Sequence, residues 1–185
     1  MKKILLAGLA MGLLSICMTS LCLATPTTWS YNGHTYEVVT SQSISWDAAR
    51  TSAQAKGTGW DLATITSLNE QNFITSLIGP PNGSLIEYYI GGWYTNGAWG
   101  WITNEPFVFT YWWAGEPNGN AYEPRIALDG RYGTNWGWND YTGAGASFVA
   151  GYVAELHTTP APEPGTLLLL GSGLVGLGLW GKKRK

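Results

Sequence analysis

Two short segments carry the plainest chemistry in this chain. Glu116-Pro117-Asn118 is one, and Asn139-Asp140, just after Trp138, is the other. Together they offer two carboxylates and two amide carbonyls, an all-oxygen donor set. Ca²⁺ takes about six to eight oxygens and tolerates irregular geometry, so loop residues supply it well. Such a site leaves coordination positions open, and two sugar hydroxyls can fill them. Each hydroxyl binds the metal, donates to a carboxylate and accepts from an Asn N–H, which uses its full hydrogen-bonding inventory.

The elements that must position these residues are readable from pattern. Thr35 to Thr40, with Tyr36, Val38 and Val39, reads as a strand. Ser45 is an N-cap for an Ala-rich helix from Trp46 through Ala55 that stops at Gly57. Leu62-Ala63-Thr64-Ile65 is a short extended run. Ser67 with Glu70 is a capping box opening a second helix through Ile78, broken by Gly79-Pro80-Pro81. After Tyr88-Tyr89-Ile90-Gly91 helical periodicity disappears, and short β runs alternate with Gly/Asn loops until Ser147 to Leu156. Two early helices followed by strands and long loops predict an α+β fold.

These landmarks fall in one order: Trp46-Asp47-Ala48-Ala49-Arg50, Leu62-Ala63-Thr64-Ile65, Glu70, Ile90-Gly91, Trp99 and Trp101, Trp112-Trp113-Ala114-Gly115-Glu116-Pro117-Asn118, Trp138-Asn139-Asp140, and Tyr152-Val153-Ala154-Glu155-Leu156. The order resembles a C-type lectin-like domain over nearly all of residues 28–157. The resemblance implies paired end strands and a long calcium-binding loop region in the second half. It also implies Glu123 as an additional acidic ligand, so the expected Ca²⁺ and carbohydrate ligands are Glu116, Asn118, Glu123, Asn139 and Asp140. Three carboxylates against one Ca²⁺ leave a single negative charge, suited to roughly millimolar extracellular calcium. Relatives hold the bond before this proline cis, and their Glu-Pro-Asn order goes with mannose, glucose, fucose and N-acetylglucosamine type sugars. A departure is Pro124-Arg125 after Glu123, where many relatives have Asp-Cys; it places a cation near the site. Ala154 stands about where relatives have a final cysteine.

Trp99, Trp101, Trp112 and Trp138 match core positions of the family. Trp136 and Trp113 are the candidates for a ring face that stacks on a sugar, with packing the competing use of each. His34 and His157, far apart in sequence, read as exposed bystanders rather than ligands. Glycosidase chemistry needs two carboxylates about 5–10 Å apart, but carboxylates sharing a cation stay ionised and make poor general acids. No nucleophile elbow, catalytic Cys or zinc-type His spacing is present, so the chain does not read as an enzyme.

The two ends read as addresses. Lys2 and Lys3 lead into the apolar run Ile4 to Leu14, and small residues close the stretch near Ala24, which predicts a secretory leader over 1–24. At the other end Pro162-Glu163-Pro164 precedes an uncharged run from Gly165 to Gly181 and then Lys182-Lys183-Arg184-Lys185. As a helix that run spans about 25 Å at ~1.5 Å per residue, the short limit for a bilayer. The order resembles a PEP-CTERM sorting tail of Gram-negative bacteria, here placed over 159–185. It implies export across the inner membrane, transient residence there, and processing by an exosortase-type transpeptidase that reads Pro162, Glu163 and Pro164. Gly171-Ser172-Gly173-Leu174-Val175-Gly176 matches a dinucleotide fingerprint, but no βαβ unit surrounds it. Asn82-Gly83-Ser84 is a glycosylation sequon of little meaning in a bacterium.

The formal charge of −2 hides an asymmetry. Residues 25–160 carry four basic and eleven acidic side chains, a net of −7, and contain neither Cys17 nor Cys22. That balance excludes a polybasic nucleic-acid binder and suits hard cations or neutral polar ligands. A cysteine-free exported domain over 25–158 must hold by its core rather than by disulfides. All but one of the 11 tryptophans are in it. The expected function is a calcium-dependent lectin for a glycan or exopolysaccharide, displayed at the cell surface or released. The competing expectation is a structural or adhesion component of the extracellular matrix that uses the same fold for protein contacts.

Overall fold

The structure, a computed structural model, describes residues 25–81 and 86–157. The expected leader with Cys17 and Cys22, the sequon at Asn82 and the tail from residue 158 lie outside the described residues. Among the described residues no helix is long and apolar enough to cross a membrane.

In chain order the elements are β1 (Thr27–Thr28), β2 (Thr35–Thr40), α1 (Trp46–Gln54), β3 (Trp60–Leu62), α2 (Leu68–Ile78), β4 (Glu87–Thr95), β5 (Ala98–Trp101), β6 (Arg125–Asp129), β7 (Gly137–Tyr141) and β8 (Val149–Leu156). One sheet runs β1-β2-β8-β4-β6-β7, with β3 also on β8 and β5 also on β4. The end strands pair antiparallel, Thr35 opposite Leu156 through Thr40 opposite Gly151. The β4–β8 pairing is parallel, whereas the other strand pairings are antiparallel.

Both helices begin where the caps predict. Ser45 Oγ accepts from Ala48 N–H at 3.3 Å, and Ser67 Oγ from Glu70 N–H at 3.2 Å. The second cap differs in its return half. Glu70 sends its carboxylate to the N–H of Thr66, 2.7 Å, and to Tyr36 Oη, because the side chain is drawn inward by the buried tyrosine rather than along the helix end. Helix α2 stops at Gly79, whose φ of 83° suits the residue without a Cβ.

Side chains alternate across the sheet and build two cores. Ile90, Ile126, Leu128, Trp138 and Val153 join Ile74 and Tyr36 on the α2 side. Tyr89, Ala127, Tyr152 and Ala154 join Trp46, Ala49 and Ala53 on the α1 side. Trp138 is the centre of an aromatic cluster, with ring centroids of Trp101, Phe109 and Trp112 at 5.5, 5.7 and 5.6 Å. Its indole N–H donates to Gln71 Oε1 at 2.8 Å, while Gln71 Nε2 donates to Trp136 O at 3.1 Å. One buried glutamine therefore ties α2 to β7 and satisfies polar groups that burial would otherwise leave costly. This lock fixes the strand that carries Asn139 and Asp140.

Candidate functional site

The segment 113–124 folds over β7 because Asp140 gathers it. Asp140 is 1% exposed. Its Oδ1 accepts from Asn118 N–H at 2.9 Å, and its Oδ2 from the N–H groups of Gly119 and Asn120 at 2.8 and 2.9 Å. Three charge-assisted bonds converging on one carboxylate are strong, so this residue sets the loop's path, while Oδ1, with one donor, keeps a free lone pair. The Glu116-Pro117 bond is cis, as the resemblance implied. Gly119 suits the close packing here, since a Cβ would lie 2.6 Å from Glu123 Cβ.

A cleft of about 320 Å³ opens beside this loop, lined by Glu87, Glu116, Asn118, Glu123, Arg131 and Asn139 among others. Four of the five sequence-expected ligands thus meet at one place, with Asp140 immediately behind them. Two further charged residues were not legible in the sequence. Glu87, at the start of β4, accepts from Asn139 Nδ2 at 2.9 Å, which leaves the Asn139 carbonyl oxygen as the end available to the cleft. Arg131 follows β6, reaches Glu116 Oε1 at 3.1 Å and pairs with buried Asp129. The only signal for either was register: Glu87 stands opposite Asp129 across β4 and β6.

Electrostatically the cleft holds more carboxylate than its one guanidinium neutralises. Burial, then the charges of Asp129 and Glu123, push the Glu87 carboxyl up to about 7, against the Asn139 hydrogen bond and Arg131. Burial also raises Glu116, as do the neighbouring Asp140 and Glu123, while Arg131 opposes. Glu123 is raised by burial and by Asp140. Glu87 Oε2 and Glu116 Oε2 are both buried without a hydrogen-bond partner. Orphaned buried anionic oxygens are expensive, and a hard divalent cation among oxygen donors is the chemistry that relieves them. The donor types suit such an ion, although among the described residues no three of the cleft's carboxylates bring oxygens within 4.8 Å of one another, and Arg131 is the cation that Glu116 and Asp129 share.

Two expectations need correction. Trp136 is 5% exposed, packs edge-on against Tyr88 and donates its indole N–H to Gly79 O at 2.7 Å, so it belongs to the core and has no free face for a sugar. Trp113 likewise donates to Asp129 O and packs against Tyr132. Tyr122, in the turn before Glu123, is the exposed ring of this loop at 89%. Arg125 does not reach the cleft: it lies over the Trp46 ring, 4.4 Å from the centroid, near Asp47 on α1. Arg131 occupies the role the sequence suggested for it.

Comparison with known proteins agrees with this geometry. The chain is 35% identical over 120 residues to mouse C-type lectin domain family 4 member A, covering 62% of this chain and 48% of the relative, about half its length. It is 30% identical over 120 residues to the galactose-specific lectin nattectin of Thalassophryne nattereri, covering 64% of this chain and 72% of that lectin. The chain belongs to the C-type lectin family. Among solved structures, the C-type lectin domain of murine dendritic cell inhibitory receptor 2 in complex with N-glycan superposes with a TM-score of 0.55 at 26% identity, covering 68% of this chain and 91% of that one. Residues 160–185 match the PEP-CTERM protein-sorting motif. This C-type lectin therefore carries a sorting motif at residues 160–185, and the relatives named above are lectins by name.

Proposed function

We propose that this is an exported, calcium-dependent lectin for mannose/glucose-class sugars. Its lectin domain covers 25–158, between a leader cut after Ala24 and a PEP-CTERM tail from 159 that an exosortase-type transpeptidase processes for the cell surface. The observation that carries the reading is the pair of orphaned buried oxygens, Glu87 Oε2 and Glu116 Oε2, in the cleft where Asn118, Glu123 and Asn139 also converge. Glu116, Asn118, Glu123, Asn139 and Asp140 would hold Ca²⁺, joined by Glu87. When bound, the ion anchors two sugar hydroxyls by their lone pairs. Glu116 and Glu123 would accept hydrogen bonds from the sugar hydroxyls, Asn118 would donate N–H bonds, and Tyr122 would offer the ring face first sought in Trp136.

The Glu116-Pro117-Asn118 order favours the mannose class by family resemblance, although one relative bears a galactose-specific name. A glycan array of the exported protein tests the reading, run with Ca²⁺, with chelator, and with Asn118→Asp. Mannose-class signals should appear only for the wild type with Ca²⁺; equal signals in all three arms would end the lectin reading.

The contact between Arg131 and Glu116 favours a second reading, in which the guanidinium does the cation's work and the domain is a metal-free matrix or adhesion component. That reading requires no change in melting temperature at millimolar Ca²⁺.

A further inference from the structure

The end-strand register produces a second cluster well away, in sequence and element, from the calcium cleft. Thr35 pairs with Leu156, so the next residues outward, His34 and His157, face each other across the seam. Their rings are 5.1 Å apart at 68°. His34 Nδ1 lies 2.6 Å from Glu155 Oε1, and His157 Nε2 lies 3.5 Å from Glu155 Oε2. One ligand atom from each residue falls within 4.8 Å of the others, and among the described residues this is the only such group of His, Cys, Asp or Glu. Sequence distance made the two histidines read as bystanders; pairing of the end strands makes them neighbours.

The site is built rather than incidental. Glu155 is fully buried, and its Oε2 accepts from Thr64 N–H at 2.9 Å, a donor that holds the carboxylate in place, while the Thr64 hydroxyl donates to Glu105. His157 Nε2 is buried without a hydrogen-bond partner. Both rings keep an outer edge open, with side chains 20% and 25% exposed, which provides an entry path. Bond lengths of about 2.1 Å put tetrahedral ligand atoms about 3.4 Å apart. His157 Nε2 and Glu155 Oε2, 3.5 Å apart, are close to that spacing, while the 2.6 Å contact of His34 Nδ1 with Glu155 Oε1 would open to admit the ion.

We propose that His34, Glu155 and His157 form a site for a borderline divalent transition metal of the Zn²⁺ class, with water in the fourth position. Two imidazoles and a carboxylate suit Zn²⁺, Cu²⁺ or Ni²⁺, whereas Ca²⁺ prefers oxygen alone. The metal clips β2 to β8 just past the end of β8, a few residues before the sorting motif at 160–185. In a domain without cysteine it supplies a covalent-like staple across the seam that joins first and last strands.

The test uses untagged protein in saturating Ca²⁺, with Co²⁺ and Zn²⁺ as separate probes. Co²⁺ should give the visible d–d bands of a tetrahedral nitrogen–oxygen site, abolished by one equivalent of Zn²⁺. Zn²⁺ at a hundred times its Kd should raise Tm by about 5 °C or more. His34→Gln and His157→Gln should each weaken Zn²⁺ binding at least tenfold, while Glu116→Gln in the cleft should leave it unchanged. No Co²⁺ band and no Zn²⁺ shift in the wild type would overturn the proposal, as would a band and a shift in the histidine variants as large as those of the wild type. The wild-type spectrum decides the matter even where a variant folds poorly.

Discussion

Each carboxylate of the cleft has a different neighbour, and the neighbours divide the labour. Asp140 spends its charge on three backbone N–H groups and so shapes the loop. Glu116 faces Arg131, and Glu87 faces Asn139, each with one oxygen left over. Glu87 is the sharpest test of this division. Because burial already drives its carboxyl up to about 7, the ionised form is a burden to the empty domain and an asset only when a cation arrives. Glu87→Gln should therefore leave metal-free Tm unchanged or higher, while Ca²⁺ affinity measured by calorimetry falls about tenfold, roughly 1.4 kcal/mol. Unchanged affinity would remove Glu87 from the site. At this scale the sequence was informative where the candidate ligands were contiguous, as in Glu116-Pro117-Asn118 and Asn139-Asp140, which the structure brings to one loop and the strand beneath it. It was silent on Glu87 and Arg131, because neither sits in a loop motif and only strand register brings them in. Trp136 was misread since a tryptophan beside a loop motif gives no sign of which way its ring turns.

At the scale of elements, the cleft depends on how α2 is fastened to β7. Gln71 looks like a surface residue in the pattern of α2, yet it is 1% exposed and holds both the Trp138 indole and the Trp136 carbonyl. Gln71→Leu keeps the volume but strands a buried N–H and a buried C=O. Equilibrium denaturation should show a loss of about 2–3 kcal/mol, and Ca²⁺ affinity should weaken with it because Asn139 and Asp140 ride on β7. A loss within about 0.5 kcal/mol, the range of ordinary surface changes, would mean that the aromatic cluster alone fastens the strand. The helices themselves were readable from Ser45 and Ser67, whose caps act locally. The parallel β4–β8 pairing was not, since it joins residues far apart in the chain through packing that no local pattern encodes.

For the whole molecule, the charge distribution and the two ends make one design. An acidic domain, −7 between basic termini, suits cations and neutral polar ligands rather than phosphates. On the proposed reading a single sugar site on an open, wet cleft would bind in roughly the millimolar range, and display of many copies through the sorting motif at 160–185 would convert that weak contact into avidity. The core makes this possible without disulfides: tryptophans on the α2 side and Ala-lined packing on the α1 side bury both faces of the sheet, and His34, Glu155 and His157 close the seam at the chain's end. The central claim is that the cleft joins a mannose-class sugar through Ca²⁺. It is tested most directly by passing the exported protein over mannose-agarose in millimolar Ca²⁺. The account predicts retention, with elution by chelator or free mannose and far less by equal galactose. Flow-through in Ca²⁺, retention in chelator, or elution led by galactose would contradict it.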